Sequence, residues 1–142
     1  MVALVYAERS INGEWIEGEW IEAEFKKCGF EIQHCTSNIE FQNIVFHRGP
    51  TPDIIVIMLA SHHITWTNVD MVRDVFDTAP IVVIPELDSD YTIDYERSRD
   101  CRAHCLPLPV GSGDLEHTIE LILVLAKLRA KEEADDWSRA IV

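Results

Sequence analysis

Basic residues are scarce in this chain of 142 residues: 12 Lys and Arg stand against 25 Asp and Glu, for a formal charge of −13. A nucleic-acid backbone or an anionic membrane needs a positive face, so neither is expected as a direct partner. Long apolar runs are also missing. The longest, Ile54 to Ala60, falls far short of the roughly 20 residues of a membrane-spanning helix. No basic-then-apolar leader opens the chain, and the expectation is a cytoplasmic protein. Cysteine is sparse and unpatterned. Cys28, Cys35, Cys101 and Cys105 include no C-x-x-C pair of the kind that builds zinc ribbons or thioredoxin-like sites. His104 lies between Cys101 and Cys105, but the sheet order derived below puts Cys35 and Cys105 on opposite edges. Buried free thiols are therefore expected rather than a four-ligand metal site. Phosphate-binding loops are missing as well. Gly111-Ser112-Gly113 is too short for a phosphate loop or for G-x-S-x-G, and there is no Walker motif, no G-x-G-x-x-G and no cobalamin-binding spacing. No cofactor is expected.

What is present centres on Thr51 to Ala60, TPDIIVIMLA. Pro52 and Asp53 open its apolar run, and Ser61-His62-His63 closes it. A strand with one wet face alternates apolar and polar residues. This one does not, so both its faces are covered, as in the middle of a parallel sheet. Val2 to Tyr6, and Ile81 to Ile84 after Pro80, have the same character. Helical patterns separate these runs. The first spans about Glu14 to Cys28, with Ile16, Trp20, Ile21, Phe25 and Cys28 as its core face and Gly29 as its stop. Trp15 falls off that stripe and is expected at the surface. Phe30 to Thr36 alternates like an edge strand. Ser37 and Glu40 form a capping box ahead of a helix carrying Ile39, Phe41, Ile44, Val45 and His47. Ser61 to Trp66 reads as a loop. Thr67 and Asp70 read as caps for a helix with Val69, Val72, Val75 and Phe76. Tyr91 to Asp100 is a short polar helix and Ala103 to Leu106 a fifth strand. Asp114 caps the last helix.

The order βαβαβαβαβα, with right-handed crossovers, predicts a flavodoxin-like α/β fold. It is a doubly wound five-stranded parallel sheet of order 2-1-3-4-5 with five helices. Residues 1–130 are expected to form this domain, and 131–142 a charged tail or helix extension. In such a fold, chemistry sits at the carboxyl ends of the central strands: Ala7-Glu8, Met58 to Ser61, and Pro85-Glu86.

Pro52-Asp53-Ile54-Ile55-Val56-Ile57, the Pro80-led strand Ile81 to Ile84, and Leu108-Pro109 after the fifth strand occur together in this order. Over nearly the whole chain, up to about Ala130, the pattern resembles the receiver domain of bacterial response regulators, the phosphorylated element of two-component signalling. The resemblance implies a site of several parts. Two acids after the first strand hold magnesium, and an aspartate ending the third strand accepts the phosphoryl group. A Ser or Thr ending the fourth strand and a Lys on the fifth hold the phosphate oxygens. Here these positions carry Glu8 (after Ala7), Met58, Pro85 and Leu108. Met58 offers no nucleophilic oxygen, Pro85 no side-chain donor and Leu108 no ammonium. The resemblance therefore implies a degenerate receiver, or pseudo-receiver. Such a module is non-catalytic and phosphorylation-independent, is not an enzyme, and acts in signal transduction through protein–protein interaction.

Other constellations lead elsewhere. Glu8, Glu86, Asp88 and Asp90, with His62 and His63, fall at one end of the sheet and could hold a divalent ion, or could simply be solvated loop residues. Glu8 with Asp88 and Asp90 is also similar to the acidic set of Toprim domains, which would make the chain a metal-dependent phosphoryl-transfer domain. The last helix carries one apolar stripe, Leu115, Ile119, Ile122 and Ala126, and a second, Leu121, Leu125 and Leu128. One stripe is enough to cover a sheet, so the second needs another cover. That cover is a partner or a second copy, or else the charged tail folded back. In the resembled family the face of the fourth helix, fifth strand and fifth helix forms dimers or docks partners. This makes Tyr91, Ile93, Tyr95, Leu121, Leu125 and Leu128 the candidate interaction residues.

Overall fold

A computed structural model of the chain describes residues 1–7, 16–47, 51–58, 62–84, 96, 97, 99, 102–106 and 112–141; of residues 16–20, 62, 63, 112, 126, 129, 130 and 132–141 only the backbone is described. Five strands, β1 (Val2–Ala7), β2 (Glu31–Cys35), β3 (Ile54–Met58), β4 (Ile81–Ile84) and β5 (His104–Cys105), form one sheet of order β2-β1-β3-β4-β5. Every neighbouring pair is parallel. The described helices are α1 (Ile16–Lys27), α2 (Asn38–Phe46), α3 (His62–Val75) and α4 (Ser112–Ile141). The flavodoxin-like sheet order derived from the sequence is the observed one. Of the expected helix Tyr91 to Asp100, only residues 96, 97 and 99 are described, with helical backbone.

The unbroken apolar strands are buried on both faces because helices cover both. Residues of β3 alternate: Ile55 and Ile57 pack with Phe41 and Val45 of α2 and Trp66, Val69 and Val72 of α3. Ile54, Val56 and Met58 pack with Ile21 and Phe25 of α1 and Leu115, Ile119 and Ile122 of α4. The two-residue period of a strand thus feeds two separate cores. Strand β2 has one open edge, and of its residues only Cys35 is fully buried.

Local chemistry sets several boundaries. Ser37 Oγ accepts from the Glu40 backbone N–H at 3.1 Å, and Glu40 Oε2 accepts from the Thr36 N–H at 3.4 Å. The glutamate thus reaches one residue further back than in a standard capping box. At the end of α1, Gly29 adopts φ +92°. The Gly29 N–H donates to Lys26 O at 3.0 Å and the Phe30 N–H to Phe25 O at 3.1 Å. This is a Schellman cap, and its apolar clasp is the edge-on pair Phe25–Phe30, with ring centroids 5.7 Å apart. Asp53 secures the start of β1: its Oδ2 accepts from the Val2 N–H at 2.7 Å, and its own N–H donates to Val2 O at 2.9 Å.

One boundary departs from the sequence expectation. Helix α3 begins at His62, not at Thr67, so the expected loop at Trp66 is helical. The earlier start places Thr65 and Trp66 on the buried face, where they are 3% and 2% exposed. Burying an indole outweighs the cap-like character of Thr67 and Asp70. Arg97 then lies over the Trp66 ring at 5.8 Å and bonds Asp70 Oδ2 at 3.2 Å, tying residue 97 to α3. Arg73, further along α3, donates to Ala79 O at 2.6 Å and to Arg102 O at 2.8 Å. One guanidinium fork therefore joins the turn before β4 to the lead-in of β5.

Candidate functional site

The candidate site lies at the carboxyl ends of β1, β3 and β4, where parallel pairing aligns Ala7 with Met58 and Met58 with Ile84. All three residues are buried: Ala7 and Met58 are 0% exposed and Ile84 is 1% exposed. Their side chains belong to the core shared with α1 and α4, which includes Val56, Val82 and Leu115. The end of the central strand is therefore an apolar, closed position. Met fits such a place because its unbranched thioether fills irregular gaps. A group that must meet solvent, a metal ion or a phosphoryl donor could not work from there.

Of the other residues singled out from the sequence, Glu8, Pro85, Glu86, Asp88, Asp90, Tyr91, Ile93, Tyr95 and Leu108 lie outside the described residues, as do Trp15 and Cys101. His62 and His63 open α3, and only their backbone is described. The structure thus shows the central member of the expected phosphorylation site and not its neighbours. The acidic set proposed for metal lies on the same undescribed segments.

The thiols are dispersed. Cys35 is buried on β2 and Cys105 on β5, at opposite edges of the sheet, while Cys28 is half-buried after α1. Burial first, and the Glu40 carboxylate second, push the Cys35 thiol up to about 12. Burial also raises the Cys28 thiol, helped by the negative charges of Glu116, Glu24 and Glu120. Neither thiol is poised as a nucleophile.

The second stripe of α4 is solvent-facing: Leu121 is 46% and Leu128 51% exposed, while Leu125 is half-buried. Val124, which the sequence reading missed, is 53% exposed and joins them. Its position three residues after Leu121 and four before Leu128 was the available signal. The tail does not fold back, since α4 runs on without a break to Ile141. On α2, Ile39 and Phe46 are also exposed, at 72% and 59%.

No protein-family model matches the sequence, and no curated protein matches it. Solved structures do. A response regulator receiver protein from Sinorhizobium medicae superposes with a TM-score of 0.70 at 16% identity, over 88% of this chain and 95% of that one. The signal receiver domain of a modulated diguanylate cyclase from Desulfovibrio desulfuricans gives 0.68 at 14% identity, over 90% and 97%. The receiver domain of a hybrid histidine kinase gives 0.61 at 16% identity, over 85% and 98%. The chain has a receiver-like fold. At these identities the likeness is one of fold, and the residues at the receiver positions are this chain's own. Among the described residues, no helix is long and apolar enough to cross a membrane.

Proposed function

We propose that this receiver-like chain is a cytoplasmic signalling module that works without an aspartyl phosphate and is not itself an enzyme. The observation behind this reading is Met58. It ends the central strand, where receiver domains place their phosphoaccepting aspartate, and it is 0% exposed within an apolar core. Phosphoryl transfer to a receiver forms a bond between a carboxylate oxygen and phosphorus as the donor's leaving group departs. A thioether supplies no such oxygen, and a buried one meets no donor. The conformation of the module is then set by its sequence and by what it binds, not by a covalent mark. Its function is to present surfaces to other proteins, and the exposed apolar stripe of α4 is the described surface best suited to that.

Incubation with acetyl phosphate and magnesium, followed by intact-mass measurement, tests this reading. No phosphoryl adduct is expected under conditions that label an ordinary receiver. A hydroxylamine-sensitive adduct, the signature of an acyl phosphate, would overturn it.

A further inference from the structure

We infer that α2 is the contact between two copies of this chain, packed antiparallel about a two-fold axis normal to the sheet. This assigns one contact of the interaction module proposed above and rests on that reading. Ile39 and Phe46 are the two most exposed of the large apolar side chains described, at 72% and 59%. Both lie on α2 (Asn38–Phe46), seven residues apart, so they share one side of the helix. Asn43, also exposed, stands between them on the same stripe. Phe41 and Val45, on the other side, fill the core. Helix α2 touches β2 and α3, and β2 is the end strand of the sheet. Among the described residues, no strand or helix lies beyond this edge on the α2 side of the sheet.

The chemistry of the patch selects the occupant. Of the 19 residues from Gly29 to His47, which make β2 and α2, only Glu31 and Glu40 carry charge. The whole chain is 26% charged and stands at −13. A basic partner gains more from almost any other surface, and two copies meet here against little repulsion. Interface cores are depleted of charge in the same way. The stripe is also its own complement. An antiparallel two-fold sets Ile39 against Phe46 of the second copy, and the axis repeats the contact, as an isologous interface requires. Asn43 then falls half a residue, about 0.75 Å, from the axis. Its amide carries both donor and acceptor and can pair with its own copy, which a carboxylate or an ammonium there could not. Glu40 and His47, both exposed, flank the stripe on one side. The crossing sets Glu40 beside His47 of the second copy, whose imidazole can donate to it, and not beside a second Glu40.

The same axis suits β2. Its middle residue, Gln33, lies two residues before the strand ends at Cys35, about 7 Å. The centre of the α2 stripe lies four and a half residues after the helix starts at Asn38, also about 7 Å. Thr36 and Ser37 join the two ends, so both midpoints stand at about one height. A single two-fold axis therefore serves strand and helix, and the dimer is a helix pair lying over a strand pair. Helix α4 packs on the other face of the sheet, in the core shared with α1. Both copies thus keep Leu121, Val124 and Leu128 open to another protein.

The seam offers about 14 Å of helix and about 17 Å of strand, less than a standard interface. The dimer is accordingly weak, with a dissociation constant on the order of 100 μM. Sedimentation velocity of the whole chain, from about 10 μM to about 1 mM, reads it directly. Phe46→Glu should raise the dissociation constant by at least roughly tenfold, with circular dichroism unchanged because the residue is exposed. Val124→Glu, on the α4 stripe, should leave association unchanged. Asn43→Cys should be captured as a dimer by a short bis-maleimide, because position 43 meets its own copy. Asp114→Cys, exposed at the start of α4, should not be captured above the unmodified chain. A chain that stays monomeric throughout would overturn the inference and leave this edge to another protein. Association that survives Phe46→Glu, or that Val124→Glu abolishes, would overturn it too, as would equal capture of the two cysteine variants. None of these results touches Met58, so the inference can fail while the phosphate-free reading stands. An acyl phosphate would remove that reading and leave the dimer measurable.

Discussion

Replacing Met58 by Asp restores the residue type of a working receiver at the position where this chain has closed the site. The structure sets the magnitude. Met58 is 0% exposed, so the substitution forfeits a full side-chain burial, about 1.5–3 kcal/mol. It also places a carboxyl among Ala7, Val56, Ile84 and Leu115, none of which can donate a side-chain hydrogen bond. Desolvation there raises the acid's folded-state pKa by about 3 units above its unfolded value near 3.9. Each unit is worth about 1.36 kcal/mol once the group is forced to ionise. A group whose folded pKa is raised has its full stability below the unfolded pKa and loses it as pH rises through the folded one. The extra penalty is therefore near zero at about pH 4, about 2 kcal/mol at pH 5.5 and about 4 kcal/mol at pH 8. Met58→Asn has nearly the same shape without the charge, so it isolates this term. Urea midpoints of Met58→Asp and Met58→Asn at pH 5.5 and 8 should diverge by about 2 kcal/mol between the two conditions. Phosphoryl donors should label neither variant. Equal midpoints at both pH values would refute the reasoning, because they would mean that position 58 reaches water and the site is open.

Three further outcomes follow from the geometry. Gly29→Ala should cost about 1 kcal/mol from its left-handed backbone alone, since the added Cβ would stand at an ordinary 3.7 Å from Met1 Cε; thermal denaturation reads this. Arg73→Ala loses the bonds to Ala79 O and Arg102 O and should cost about 1.5–3 kcal/mol. Arg73→Lys should recover less than half of that, because the two carbonyls are met by separate nitrogens of the planar guanidinium, and a lysine ammonium is a single point with no such fork. Cys35, held at about 12, stays a neutral thiol in the folded protein at pH 8, and iodoacetamide should modify it only as fast as the chain unfolds. Its folded value lies above its unfolded one, so its contribution to stability is complete below about pH 8.5 and declines as pH climbs toward 12. Labelling of Cys35 faster than unfolding would contradict its burial.

Much of the architecture is written locally. The runs Ile54 to Met58 and Ile81 to Ile84 have no polar residue to turn toward water, so they had to lie inside a sheet covered on both sides. Gly29 and Ser37 end and begin helices through φ angle and side-chain oxygen, which act within a few residues and can be read within a few residues. The missing oxygen at position 58 is equally local. Other features belong to the assembled fold. Helix α3 starts at His62 because Trp66 finds cover on the sheet, and that cover comes from elements far away in sequence. Ile39 and Ile44 look alike in the sequence, yet Ile44 packs on the core and Ile39 is 72% exposed, because only one of them faces the sheet. The fork of Arg73 reaches a carbonyl 29 residues away, at a position chosen by how β4 and β5 pair. On α4 the sequence carries two apolar stripes and does not rank them. Packing against α1 and the sheet buried Leu115, Ile119 and Ile122, and the continuation of the helix to Ile141 left Leu121, Val124 and Leu128 in solvent. Apolar spacing fixes the angle between two stripes on one helix. Which stripe turns inward depends on the shape of what lies beneath, and that exists only once the chain has folded.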